Sequence, residues 1–247
     1  MSELQQKGIG GTSIFDPVLC ELLYHWFCPK GGLVLDPFAG GSVRGIIATL
    51  LGRGYIGIDL SSEQNRTNER QAANLCHDKK PKWITGDSRD IDRLAAGIEA
   101  DFVLSCPPYA NLEKYSDDRR DLSNMKYDEF KAAYFDIVKK SCALLKPDRF
   151  ACFVVGEIRA PNGAYRGFVP DTISAFQAAG LSYYNEAILV TQAGSLPMRA
   201  GLPFKNSRKL GKCHQNILVF IKGDAKAATK SIGPITCGDL SKAGLPS

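Results

Sequence analysis

Short apolar runs alternate with helical patterns along the 247-residue chain, and this alternation constrains the fold more than any other feature of the sequence. Runs rich in valine, isoleucine and aromatic residues predict seven strands, at 33–36, 55–59, 82–86, 102–106, 150–155, 187–191 and 216–221. Helical spacing predicts helices near 43–52, 62–76, 90–97, 127–145 and 169–179. We therefore expect an α/β fold with a single doubly wound, mostly parallel sheet and helices on both faces. No helical pattern separates the last two runs, so these strands are expected to pair antiparallel.

The length fits one large α/β domain or two small ones, at about 150 residues per domain. We expect one domain over residues 1–223. Residues 224–247 lack periodicity and are expected to form a flexible tail. Two long loops, 110–126 and 192–215, stand out. Loops of this length inside a compact domain are usually functional.

Composition excludes several classes of protein. The chain is 44% apolar and 23% charged, which is typical of a globular protein and not of a disordered or fibrous one. The sequence shows no apolar run near the ~20 residues of a membrane span and no apolar core of a signal peptide. We therefore expect a cytoplasmic protein without a membrane partner. None of the eight cysteines forms a C-x-x-C pair, which argues against a metal site or a disulfide framework.

Basic residues are concentrated in the last quarter of the chain. Residues 181–247 carry a net charge of +6, whereas the rest of the chain carries −1. This asymmetry suits a polyanionic partner. A solubilising surface with a frayed tail explains the charge equally well.

A glycine turn lies between the first strand and the following helix, in the segment LVLDPFAGGSVRG. Glycine at 40 and 41 lets the backbone approach a ligand, and the helix N-terminus offers free N–H groups. Asp59 lies 19 residues after Gly40, where an acid commonly accepts the ribose hydroxyls of a nucleoside cofactor. The spacing suits dinucleotide-binding and methyltransferase folds alike. However, Asp36 in the turn favours a cationic ligand such as S-adenosylmethionine over a pyrophosphate.

Two further strand ends carry candidate groups. Asp87 follows the third strand and is a candidate partner of an adenine amino group or, equally, a helix N-cap. The fourth strand ends in Ser105-Cys106-Pro107-Pro108-Tyr109. Two prolines stiffen this turn and free its carbonyl groups from a strand ladder. Such a turn suits a planar amine, because a carbonyl accepts the amine hydrogens while the aromatic ring stacks on the base.

The motifs DPFAGGS, YIGIDLS and SCPPY together resemble those of the amino-group DNA methyltransferases, which methylate cytosine N4 or adenine N6 and have the class I S-adenosylmethionine-dependent fold. The resemblance covers about residues 13–223 and implies the strand order 3-2-1-4-5-7-6 with the last strand antiparallel. It also implies a base flipped out of duplex DNA as the substrate, and S-adenosylmethionine as the cofactor. The segment before the first strand resembles the part of that family that contacts the methionine end of the cofactor. The cofactor-binding candidates are Phe15, Asp16, Asp36, Phe38, Gly40, Gly41, Ser42, Asp59 and Asp87, and the catalytic candidates are Cys106, Pro107, Pro108 and Tyr109.

Two positions depart from the family pattern. Gly41-Ser42 stands where many members have Ser-Gly, and Cys106 replaces the usual Asp, Asn or Ser. A thiol is a weak hydrogen-bond acceptor, but a cysteine can attack a pyrimidine ring carbon and activate its neighbour for methylation. Amino-group methylation is favoured over ring-carbon methylation at cytosine C5, because the ring-carbon nucleophile typically follows a proline. An RNA methyltransferase, a protein-amide methyltransferase and a non-catalytic nucleic-acid-binding relative stay open as alternatives.

Target recognition has no separate segment of ~100 residues in this sequence. It is expected to fall to the two long loops, to a second subunit of a homodimer, or to a separate specificity partner. In the 192–215 loop, basic residues alternate with apolar ones, so cations there can hold phosphates while an apolar side chain fills the gap left by a flipped base. A solvated loop that covers the sheet edge is the alternative. The nucleic-acid-binding candidates are Arg199, Lys205, Arg208, Lys209 and Lys212.

Overall fold

A computed structural model describes residues 14–109, 115–190 and 196–235, with only the backbone described for 197–199. Its centre is a seven-stranded sheet in the order β3-β2-β1-β4-β5-β7-β6. The first five strands in this order run parallel, and β7 is antiparallel to both of its neighbours. The predicted fold class and strand order are confirmed. The strands are β1 (Leu33–Asp36), β2 (Gly54–Asp59), β3 (Lys82–Thr85), β4 (Ala100–Ser105), β5 (Leu145–Val155), β6 (Ser182–Val190) and β7 (His214–Lys222).

Helices cover both faces of this sheet and form two apolar layers. Helices α4, α5 and α6 cover one face, where Phe130, Tyr134 and Phe168 are fully buried. On the other face, α1, α2, α3 and α8 pack around residues such as Tyr24 and Phe102. The described α-helices are α1 (Pro17–Phe27), α2 (Val43–Leu50), α3 (Ser62–Leu75), α4 (Ile91–Leu94), α5 (Tyr127–Ala143), α6 (Phe168–Ala178), α7 (Leu196–Ser207) and α8 (Ala225–Ile232).

Several element boundaries differ from the predicted ones. The helix expected at 90–97 is a 3₁₀ turn, Ser88–Asp90, followed by the single turn of α4. Helix α5 ends at Ala143, and Leu145, which was expected to be the last residue of this helix, already begins β5. Strand β6 begins five residues earlier than predicted, because it pairs along its length with β7.

Three helices were not predicted. Helix α1 begins at Pro17 behind the N-cap Asp16, and α7 lies inside the region expected to be a loop. The expectation of a flexible tail from residue 224 is wrong for residues 225–232, which form α8 behind the N-cap Asp224. Ala228 of this helix is fully buried in the layer that also holds α1. In the part of the chain that the structure describes, no helix combines the length and apolar character needed to cross a bilayer.

Candidate active site

The turn after β1 is built around Asp36, whose side chain is fully buried. Four chain groups donate hydrogen bonds to its carboxylate: Arg44 Nε at 2.6 Å, Tyr55 OH at 2.8 Å, Ser105 Oγ at 2.6 Å and Phe38 N at 3.1 Å. The negative charge that sequence analysis assigned to a cationic ligand is therefore paired with Arg44 inside the protein. Asp36 shapes the turn through these hydrogen bonds, and its contact with the cofactor stays a prediction.

Arg44 ties the same turn to the N-terminal segment. Its guanidinium donates to the carbonyl oxygens of Phe38 and Ala39, at 2.8 and 2.9 Å. It also lies 4.8 Å from the centre of the Phe15 ring, which places Phe15 beside the turn. Asp16 is exposed and caps α1 by accepting hydrogen bonds from the first two backbone N–H groups after Pro17. The structure thus brings Phe15 to the predicted site and gives Asp16 a helix-capping role.

Asp59 meets the glycine turn at the end of β2. Its carboxylate accepts hydrogen bonds from Gly40 N at 2.9 Å and from Ser61 N at 2.8 Å. Burial raises the pKa of Asp59 in spite of these hydrogen bonds. Gly40 has φ +50°, and a Cβ added at Gly40 or Gly41 would meet no atom within 4 Å. A half-buried carboxylate therefore borders open space above a glycine turn, which is the geometry expected of a nucleoside site.

The remaining cofactor candidates have partners within the chain. Ser42 donates to the side chain of Gln71, and the Phe38 ring stacks on Tyr134 with their centres 5.9 Å apart. Asp87 caps the 3₁₀ turn and is bound by the Arg89 guanidinium. Burial alone would raise the pKa of Asp87, but the hydrogen bonds from Arg89 hold it below its ordinary value. The N-cap interpretation of Asp87 is confirmed, and its contact with adenine stays a prediction.

The turn after β4 is attached directly to the turn after β1. Ser105, the last residue of β4, donates its hydroxyl hydrogen to Asp36 and accepts a hydrogen bond from Phe38 N at 3.2 Å. Ser105 is fully buried, whereas Cys106 is half-buried. Because β4 ends at Ser105, the following carbonyl groups of the Cys-Pro-Pro turn lie beyond the sheet ladder.

Tyr109 is held in place at the end of this turn. Gln215 Nε2 donates a 2.6 Å hydrogen bond to its hydroxyl oxygen, and its ring meets Phe168 edge-to-face at 6.1 Å. Burial raises the pKa of Tyr109 far above its ordinary value, so the hydroxyl stays neutral. The half-buried ring thus lies after the last residue of β4 and is held by Gln215 at the start of β7 and by Phe168 at the start of α6. Sequence analysis missed Gln215 because nothing in its local pattern distinguishes it.

The predicted nucleic-acid-binding residues lie on α7 and the segment after it. Lys205 is exposed in the last turn of α7, and the exposed Arg208 lies over the Phe204 ring at 5.2 Å. Lys209 and Lys212 are half-buried, and burial lowers the pKa of Lys212. The side chain of Arg199 lies outside the described part of the chain. A role in DNA binding, a homodimer and a separate specificity partner all stay predictions.

Comparisons with known proteins give the following. The sequence model of a DNA methylase family matches residues 17–70, a stretch that holds the first turn and Asp59. The comparison with curated proteins gives no match. TrmN from Thermus thermophilus has a similar structure, with a TM-score of 0.56 and 17% identity over 89% of this chain and 52% of TrmN. The chain therefore spans about half the length of TrmN.

Two other similar structures are matched over most of their length. Magnesium protoporphyrin IX methyltransferase (ChlM) from Synechocystis PCC 6803 with bound SAM has a TM-score of 0.53 and 12% identity, over 89% of this chain and 90% of ChlM. A Clostridium thermocellum protein assigned as an rRNA methylase has a TM-score of 0.54 and 12% identity, over 85% of this chain and 100% of that protein. At such identities the similarity establishes the fold alone. The chain has the fold of the class I S-adenosylmethionine-dependent methyltransferases, and its first motif matches the DNA methylase family that its sequence resembles.

Proposed function

We propose that this chain is an S-adenosylmethionine-dependent methyltransferase that methylates an exocyclic amino group, cytosine N4 or adenine N6, of a base flipped out of DNA. One observation carries the proposal: Ser105 joins the glycine turn and the Cys-Pro-Pro-Tyr turn through hydrogen bonds to Asp36 and Phe38. The turn proposed to bind the cofactor and the turn proposed to bind the target base therefore share one edge of the sheet. Transfer between two bound molecules depends on such fixed proximity.

The residues at the first turn fit the cofactor. The open space beside Gly40 and Gly41 leaves room for a ligand against the backbone. Asp59 borders that space with a carboxylate that uses one hydrogen bond per oxygen, and each carboxylate oxygen has two lone pairs. Asp59 can therefore accept the ribose hydroxyls while it keeps the turn in place.

The second turn supplies the groups that orient the target. When bound, S-adenosylmethionine would supply a methyl group on a cationic sulfur. The amine nitrogen forms a bond to the methyl carbon as the carbon–sulfur bond breaks and the sulfur keeps the electron pair. The backbone carbonyl of Cys106 or Pro107 accepts one amine hydrogen and directs the nitrogen lone pair toward the methyl group. Tyr109 stacks on the base, and the amine proton leaves to water after transfer. No general base is required of the chain.

The test is methyl transfer from labelled cofactor to duplex DNA, single-stranded DNA and RNA, followed by digestion and mass spectrometry of the nucleosides. N4-methylcytosine or N6-methyladenine in DNA is the expected product. The 5-methylcytosine product would assign the ring-carbon reaction instead, and transfer to RNA alone would contradict DNA as the substrate. The structural similarity to the assigned rRNA methylase makes the RNA arm necessary.

Tyr109 provides a matched pair of variants for the same assay. Because base–aromatic stacking contributes about 1–3 kcal/mol, Tyr109→Ala should lower kcat/KM by up to about 100-fold. Tyr109→Phe keeps the ring and loses only the hydrogen bond from Gln215, so it should retain most of the activity. Equal losses in both variants would contradict a stacking role.

A further inference from the structure

The segment between β5 and α6 folds into a short hairpin at residues 158–166, here called the basic hairpin. Arg159 and Tyr165 face each other in an antiparallel bridge. The Arg159 guanidinium donates a 2.8 Å hydrogen bond to Gly163 O and lies 4.1 Å from the centre of the Tyr165 ring. Tyr165 is nevertheless 50% exposed. The hairpin therefore presents an aromatic ring that is backed by a fixed cation and open to solvent.

A groove of about 430 Å³ separates the basic hairpin from the segment after α7. Three cationic side chains line it, Arg159, Arg208 and Lys209, and no acidic residue is found among its described lining. A second groove of about 250 Å³ shares Arg159 and Lys209 and adds Lys212. Glu157 lies near Lys212, but the four cations outnumber it, and this excess of positive charge favours an anionic ligand. A loop that only covered the sheet edge would not require such a concentration of cations.

Arg208 directly follows the last residue of α7. Its φ of +56° lies in the left-handed region, where glycine is favoured and an arginine is uncommon. Its backbone N–H donates to Phe204 O, so this conformation ends α7, and the Arg208 side chain lines the groove. Lys209 lies so close to Gly163 that an added Cβ would fall 2.5 Å from Lys209 Cε. At Lys209 and Gly163 the two segments that line the groove therefore contact each other.

The groove adjoins the Cys-Pro-Pro-Tyr turn. A Cβ added at Gly156 would lie 3.7 Å from the Tyr109 hydroxyl oxygen, and Gln215 donates to the same oxygen. Arg159 follows Gly156 by three residues and Lys212 precedes Gln215 by three, and three residues span at most about 11 Å. Arg159 and Lys212 therefore lie near enough to Tyr109 to bind a nucleotide that neighbours a target base placed there.

We propose that this groove is a second nucleotide subsite, in which the cations bind the phosphates flanking the target and Tyr165 stacks on an unpaired neighbouring base. An exposed ring accepts a base whose face is open, whereas bases inside a duplex are stacked on both sides. The inference rests on the proposed function and adds that the nucleotide next to the target is unpaired. DNA and RNA strands share this chemistry, and the experiment distinguishes them.

The experiment measures fluorescence anisotropy of the full chain with labelled single-stranded DNA, single-stranded RNA and duplex DNA of one sequence. Tyr165→Leu should weaken single-strand binding by about 5- to 100-fold and duplex binding much less, and Tyr165→Phe should bind as the unaltered protein does. Tyr184→Leu is the control, because Tyr184 is 48% exposed on the edge strand β6 and does not line the groove. Arg208→Gln should reduce the salt slope of single-strand binding by about 0.7.

Two results would overturn the inference: single-strand affinity that is unchanged in Tyr165→Leu, or an equal loss for single strand and duplex. Circular dichroism of each variant excludes a folding defect as the cause. The proposed function fails separately. If the unaltered protein transfers no methyl group and Tyr165→Leu still weakens single-strand binding, the methyltransferase proposal is contradicted and the subsite is supported. If the protein transfers methyl groups and Tyr165→Leu leaves its single-strand affinity unchanged, only the subsite is contradicted.

Discussion

Arg44→Met tests how the turn after β1 is held. Arg44 is only 5% exposed, and its guanidinium donates to Asp36, Phe38 and Ala39 over 2.6–2.9 Å. Methionine keeps the apolar stem but leaves the buried Asp36 carboxylate without its cation. Removal of one partner of a buried ion pair costs about 3–5 kcal/mol. Since whole domains are stable by only about 5–15 kcal/mol, denaturant unfolding should show a large loss.

The same variant should also weaken cofactor binding, because the two carbonyl groups of the turn lose their donor. Arg53→Met is the matched control: Arg53 is 3% exposed but donates only to backbone carbonyl groups distant from the turn. Both variants should unfold at lower denaturant concentration. In calorimetry under conditions where both are folded, only Arg44→Met should bind S-adenosylmethionine more weakly.

The double variant Asp36→Asn/Arg44→Met separates the buried charge from lost packing. Asparagine Oδ1 can still accept from Ser105 and Phe38, and no charge is left unpaired. The double variant should therefore be more stable than Arg44→Met alone. A double variant that is no more stable, or an Arg53 control that weakens cofactor binding as much, would refute this account of the turn.

Three further predictions concern single positions. Because burial raises the pKa of Asp59, this carboxylate becomes protonated at a higher pH than an ordinary aspartate. As the pH is lowered, cofactor affinity should therefore begin to fall before an ordinary aspartate is protonated. Calorimetry from about pH 4 to 7 checks this, and Asp59→Asn should remove most of the pH dependence. Cys106→Ser should keep its activity, whereas an inactive variant together with a covalent adduct on 5-fluorocytosine DNA would favour the ring-carbon reaction. At Asp101, burial opposes ionisation, but hydrogen bonds from a backbone N–H, Lys146 and Arg149 lower the pKa. Asp101→Asn should therefore destabilise the fold near neutral pH, and the difference in unfolding free energy should vanish as acid protonates Asp101.

The sheet could be predicted from the sequence because its strands are continuous apolar runs. In β4, for example, the three central residues Phe102, Val103 and Leu104 are apolar and fully buried. Helix α7 could not be predicted in this way. It contains Gly201 and Pro203, which cost about 1 and 3 kcal/mol in a helix interior, and local propensity therefore indicates a loop. Helix α8 has eight residues, and helices this short depend on tertiary packing for their stability.

The sequence predicted which turns lie together, but it did not predict how their side chains pair. Sequence spacing placed Asp59 and the glycine turn together, and the structure joins them by a hydrogen bond. The buried pairing of Asp36 could not be predicted from local sequence, because its partners Tyr55 and Ser105 lie 19 and 69 residues away. An acid in a turn offers the same local pattern whether it faces a ligand or a buried guanidinium. Only the fold decides between these two roles.

The same pairing explains how the chain can carry Cys106 where its relatives by motif have Asp, Asn or Ser. The turn after β4 is anchored to the cofactor turn one residue earlier, through Ser105, and at its far end through Tyr109 and Gln215. The Ser105 anchor does not involve the side chain at 106, whereas the Cys106 side chain is a hydrogen-bond partner of Tyr109. Under the proposed amino-group transfer, a backbone carbonyl orients the amine, and the Cys106 thiol needs no catalytic role. Serine at 106 would keep a hydrogen-bonding group beside Tyr109, which is why we expect Cys106→Ser to keep its activity.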